Sequence, residues 1–188
     1  MTYTVEEAQA ALGNLVDPQL KPTEYEFARA AVMVASVAGV TVASAESVTG
    51  GLVSQLLTSV PGASEVFLGG VVAYSSDIKT DVLGVSQALI SKGGAVQAEV
   101  ALQMAAGVAR VCASQVGLGI TGVAGPTPQD GAPVGTVHVA VVDTSTNASR
   151  VHSLRLEGTR DEIRVQAATA LIGMLLDVLV PKTDLVRS

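Results

Sequence analysis

Aromatic side chains are scarce in this chain: they make up 3% of it, and tryptophan is absent. Broad stacking surfaces for bases or planar cofactors are therefore not expected, and no aromatic stripe interleaves with basic residues. Basic residues are also few, 11 against 17 acidic, for a net charge of −6. That balance excludes a general binder of phosphate backbones, so no nucleic-acid partner is expected. It leaves room for a local pocket that takes a small anion. The lone cysteine, Cys112, cannot form an internal disulfide and reads as a packing residue on a helix. No secretory n-region opens the chain, so the cytoplasm is the expected compartment. The longest weakly polar run, about Ala30 to Ala45, is interrupted by Ser36, Gly39, Thr41 and Ser44. It falls short of the roughly 20 apolar residues of a spanning helix, and no membrane partner is expected. His138 and His152 sit on predicted strands without a third His or Cys nearby, so no metal site is expected.

What is present is a 188-residue chain that is 48% hydrophobic, enough for one domain with a full core of Ala, Val, Leu and Ile. Residues 1–22 read as an N-terminal appendage: a short helix over Val5 to Leu15, then a linker marked by Pro18 and Pro22. Residues 23–188 form the domain. Thr23 reads as the N-cap of a helix running to Ala38, ended by Gly39. Val40 to Ala45 is a short buried strand, followed by Gly50-Gly51 and a helix through Leu57. Val66 to Tyr74 is a second strand, with Gly69-Gly70 as a bulge or close approach. Ser75 or Ser76 caps a helix through Val82. A long helix spans Gln97 to Ala113, and the four-residue repeat of Ala101, Ala105 and Ala109 predicts close packing. Val116 to Thr121 is a strand. Gly122 to Pro133, with three glycines and three prolines, is a loop. Val134 to Val142 and Arg150 to Leu156 form a hairpin, and a last helix runs from Thr159 to Leu179. The alternation predicts an α/β fold: a single three-layer α/β/α domain with a mixed, mostly parallel sheet.

Three segments carry candidate chemistry. Ser47-Val48-Thr49-Gly50-Gly51 lies between a strand and a helix. Its glycines permit a tight turn, and a helix N-terminus offers N–H groups to a phosphate or an oxyanion. Ser47 and Thr49 are both candidate nucleophiles there; the same residues also read as an ordinary helix cap. Tyr74-Ser75-Ser76-Asp77-Ile78-Lys79 places a lysine where a serine hydrolase without a histidine needs its base. Such a lysine must lose its proton near neutrality. Thr121-Gly122-Val123-Ala124-Gly125-Pro126 ends a strand, where ligands gather in α/β folds. Two motif matches fail. Ser76-Asp77-Ile78-Lys79 fits S-x-x-K but has no S-D-N or K-T-G partner. Gly117-Leu118-Gly119-Ile120-Thr121-Gly122 fits G-x-G-x-x-G but is itself a strand with no helix after it.

Taken in order, several blocks resemble the C-terminal domain of the CinA family. They are Ala45-Glu46-Ser47 with Thr49-Gly50-Gly51, Gly70-Val71-Val72-Ala73-Tyr74-Ser75 with Lys79, Leu83-Gly84-Val85, and Gly94-Ala95-Val96. Thr121-Gly122-Val123-Ala124-Gly125-Pro126 and Pro133-Val134-Gly135-Thr136-Val137 follow. The resemblance covers about residues 24 to 180. It implies hydrolysis of the amide of nicotinamide mononucleotide to nicotinate mononucleotide and ammonia, with no cofactor. By resemblance Ser47 is the nucleophile, Lys79 its general base and Tyr74 a hydrogen-bonding partner. Glu46, Thr49, Gly50 and Gly51 would bind substrate, the last three through backbone donors to the oxyanion or phosphate, and Thr121 and Gly122 would line the pocket. This chain has Val48 where the family carries cysteine, Gln97 where many members carry serine, and a different loop after Pro126. A catalytically silent nucleotide-binding or interaction module is the competing expectation. The implied partner is a small-molecule nucleotide, and a homo-oligomer is expected of a compact α/β enzyme.

Overall fold

The computed structural model describes residues 2–183 and 185; the far end of the predicted domain, residues 184 and 186–188, lies outside the described residues. Its helices are α1 (Val5–Val16), α2 (Glu24–Ala38), α3 (Leu52–Thr58), α4 (Ser76–Asp81), α5 (Gln87–Gly93), α6 (Ala98–Cys112) and α7 (Arg160–Leu179). Its strands are β1 (Val42–Glu46), β2 (Phe67–Val72), β3 (Val116–Gly122), β4 (Thr136–Asp143) and β5 (Ala148–Arg155). They form one sheet in the order β2-β1-β3-β4-β5. β1 pairs in parallel with β2 and β3, whereas β3–β4 and β4–β5 are antiparallel. The expected three-layer mixed sheet is therefore present, with parallel and antiparallel pairings in equal number. The parallel half carries the site, because it brings the carboxyl ends of β1, β2 and β3 side by side.

Local chemistry explains most boundaries. Thr23 and Thr159 begin α2 and α7 with reciprocal capping boxes to Glu26 and Glu162. Gly39 ends α2 in the left-handed conformation that glycine adopts without cost. The bulge falls just before the predicted Gly69-Gly70 pair: Val42 pairs with Phe67 but Ala43 with Gly69, so Leu68 is the extra residue. Gly70 is instead the close approach, since a methyl there would overlap the Ser54 hydroxyl. α5 has no counterpart in the sequence reading, being too short to show a period.

One face of the sheet is covered by α2, α3 and α7, and the other by α6 with α5 and the segment of Leu83 and Val85. β3 alternates accordingly. Val116, Leu118 and Ile120 are buried toward α2 and α7, while Gly117 and Gly119 face α6. A methyl on Gly119 would overlap the carbonyl oxygen of Ala101, and one on Gly117 that of Ala105. The G-x-G pair is a packing device that lets the Ala101–Ala105–Ala109 stripe lie against the strand. Gly119→Ala is therefore expected to destabilise the protein by about 1–3 kcal/mol, as overpacked cores do. Chemical denaturation measures this. An unstrained glycine would give the opposite sign.

The N-terminal segment is docked on the domain. Ala8 and Ala11 are buried against α2, and the Tyr3 hydroxyl donates to the Pro61 carbonyl at 2.5 Å. α7 is long and apolar enough to cross a membrane, which the run-length reading of the sequence does not register. Its apolar face instead packs on α2 and β4. His138 pairs across the hairpin, its Nδ1 2.9 Å from the Ser153 hydroxyl. Burial pushes the Cys112 thiol up, which favours its protonated form.

Candidate active site

β1 runs straight into the turn that carries Ser47. The Ser47 N–H donates to the Ile120 carbonyl at 3.1 Å, so the residue continues the pairing with β3 before the chain turns. β2 leads through Ala73 and Tyr74 into α4, whose N-cap Ser75 accepts the Ile78 N–H at 3.3 Å. α4 then swings Lys79 back beneath the strand ends. Its side chain is only 1% exposed. Lys79 Nζ donates to the Ala73 carbonyl at 2.7 Å and to Ser47 Oγ at 3.0 Å. Residues 32 positions apart thus form a direct hydroxyl–amine pair. Burial pulls the Lys79 ammonium down to about 8, partly offset by the negative charge of Asp130.

Ser47 and Lys79 open on a cavity of about 260 Å³, also lined by Tyr74, Thr121, Gly122 and Arg160. Arg160 and Lys79 are cations in this wall, and no carboxylate side chain lines it among the described residues. In a chain of net charge −6, that is a local inversion suited to an anionic ligand. Tyr74 is exposed and its hydroxyl accepts from Arg160 Nη2 at 3.1 Å, while Arg160 Nη1 donates to the Gly125 carbonyl at 2.6 Å. Tyr74 therefore meets Lys79 through its backbone carbonyl, at 3.4 Å, and Arg160 through its hydroxyl. Thr121 is buried and donates to the Ala95 carbonyl at 2.9 Å.

The remaining predicted ligand contacts are placed differently. Glu46 is fully buried and faces α3, not the cavity. Its carboxylate accepts from the N–H groups of Gly51, Val53 and Ser54 at 2.8–3.0 Å. It also accepts from the hydroxyls of Thr49 and Ser54, at 2.8 and 2.6 Å. The Gly50 N–H donates to the Ser47 carbonyl. Glu46 thus fills the anion site at the helix N-terminus itself, and Thr49, Gly50 and Gly51 do not line the cavity. The physical reason is register: Ser44 and Glu46 share a strand face, and that face looks at α3.

The sequence alone does not single out Arg160. A faint signal existed, since a basic residue in the first turn of a helix opposes its dipole. Among the described residues, no group of three His, Cys, Asp or Glu side chains is arranged to hold a metal ion.

The family model for the CinA C-terminal domain matches residues 25–179. The chain belongs to this family.

A putative competence-damage inducible protein of Geobacillus kaustophilus is 45% identical over 141 residues, covering 75% of this chain and 34% of that protein. A CinA-like protein of Frankia casuarinae is 43% identical over 139 residues, covering 74% and 32%. The chain thus spans about a third of the length of these curated relatives. The crystal structure of the competence/damage inducible protein CihA from Agrobacterium tumefaciens superposes with a TM-score of 0.80 at 34% identity, covering 85% of this chain and 98% of that one. The CinA C-terminal domain accordingly accounts for α2 through α7, and α1 precedes the matched region.

Proposed function

We propose that this CinA C-terminal domain is an amidohydrolase that converts nicotinamide mononucleotide to nicotinate mononucleotide and ammonia. The observation that carries the proposal is the buried Lys79 Nζ at 3.0 Å from Ser47 Oγ, with its pKa lowered to about 8. At neutral pH about a tenth of such lysines are unprotonated, enough for a working base. Neutral Lys79 takes the Ser47 proton as Oγ attacks the carboxamide carbon. The tetrahedral oxyanion is met by the Val48 N–H, which has no protein acceptor among the described residues and adjoins the cavity. Collapse breaks the C–N bond, and Lys79 returns its proton to the leaving ammonia. Water, deprotonated by the same lysine, then cleaves the acyl ester and restores Ser47. The cationic wall supplied by Arg160 suits the 5′-phosphate. No cofactor is required by these steps. A cytoplasmic, self-associating enzyme is part of the same proposal.

Purified protein is expected to release ammonia from nicotinamide mononucleotide. Ser47→Ala is expected to lose on the order of 10³–10⁶-fold in kcat, the range seen when a nucleophile is removed. The riboside without phosphate is expected to show a raised KM. Absence of turnover from neutral to alkaline pH sinks the proposal. Calorimetric binding of the nucleotide without turnover favours the silent module, a reading supported by how few backbone donors the Glu46-capped turn leaves for an oxyanion.

A further inference from the structure

The loop joining β3 to β4 folds back over the cavity, and its tip is a tight turn. Gln129 and Ala132 exchange backbone hydrogen bonds at 3.1 and 2.8 Å. Asp130 and Gly131 between them are both left-handed, at φ 52° and 74°. Aspartate tolerates this conformation better than most side chains. The turn directs Asp130 onto the α5–α6 junction, where its Oδ2 accepts the Ala95 N–H at 2.8 Å. The side chain occupies the space that a Cβ on Gly94 would need. Ala95 in turn accepts from the Thr121 hydroxyl. Ala95 and Gln129 both line the cavity, so one carboxylate joins two of its walls.

Asp130 also carries charge toward Lys79, which it acts on against the effect of burial. The other groups around Lys79 are Ser47 from β1, the carbonyls of Ala73 and Tyr74 after β2, and Arg160 across the cavity from α7. On its own helix Asp77 and Asp81 are exposed, and Glu46 on β1 is turned into α3.

We propose that Asp130 is a positioning residue, which seats the β3–β4 loop on Ala95 and so completes the cavity. Its consequence for turnover rests on the amidohydrolase reading, but its test need not. Asp130→Asn keeps the size and an acceptor oxygen; Asp130→Ala removes the acceptor. Hydrogen exchange of the Ala95 amide is followed by NMR in the 188-residue protein and both variants. In Asp130→Ala this amide is expected to exchange with solvent ~10-fold faster or more, the loss of one hydrogen bond to a charged acceptor. Asp130→Asn is expected to restore part of that protection. Unchanged Ala95 exchange in Asp130→Ala, or no recovery in Asp130→Asn, overturns the proposal. The readout does not depend on any amide being a substrate, so failure of the proposed activity is recognised separately.

Discussion

Lys79→Met is expected to lose about 10²–10⁴-fold in kcat, the usual share of a general base, without becoming less stable at neutral pH. The two halves have one cause. Burial at 1% exposure brings the lysine from 10.5 in the unfolded chain to about 8 in the folded one. Between these values the unfolded chain binds more protons than the folded protein. Stability therefore rises as pH increases from about 8 to 10.5. Below that window the full burial penalty applies, about 3 kcal/mol at 1.36 kcal/mol per pKa unit. Methionine is similar in length and carries no charge, so it removes the penalty. It also leaves the Ala73 carbonyl without its donor, which costs about 1–2 kcal/mol. The net effect is neutral or stabilising. Urea unfolding checks it: wild type should gain stability on moving from neutral pH into the window, and Lys79→Met should not. A methionine variant that is clearly less stable at neutral pH would refute this account of the lysine.

Glu46→Ala is expected to be the most damaging single substitution for the fold, at about 3–5 kcal/mol. The carboxylate is the shared acceptor for three backbone N–H groups and the hydroxyls of Thr49 and Ser54. Alanine leaves the three N–H groups and the Thr49 hydroxyl without this acceptor, and the Ser54 hydroxyl with only that of Ser44. In a protein of this size each kcal/mol moves the melting temperature by about 2–4 °C, so a fall of roughly 10 °C follows. Glu46→Gln recovers part of the loss, because an amide offers one acceptor oxygen where the carboxylate offers two. Activity falls as well, since the Glu46 cap holds the turn that carries Ser47. A thermal melt decides the matter. Were Glu46 a ligand contact, as the family pattern alone suggests, its removal would change KM and leave the melt unaltered.

Much of this protein was legible in its residues. The capping threonines at 23 and 159 and the left-handed Gly39 mark element ends through interactions within a few residues, so they can be read from the chain. The α6 alanine stripe announced close packing, although its partner, the glycine pair of β3, first appeared as a failed nucleotide motif. Ser47 and Lys79 were recognisable through the family pattern, and the cavity brings them together. The sequence by itself determined the layered α/β class and most of the element order, and its family resemblance singled out Ser47 and Lys79. Tertiary structure alone decided the direction in which Glu46 points, the seating of Asp130 on Ala95 and the arrival of Arg160 at the cavity. Each of these depends on a strand face or on a contact between segments far apart in sequence. Local periodicity carries no record of such contacts, because they are settled only when the sheet orders its strands and α7 packs across them.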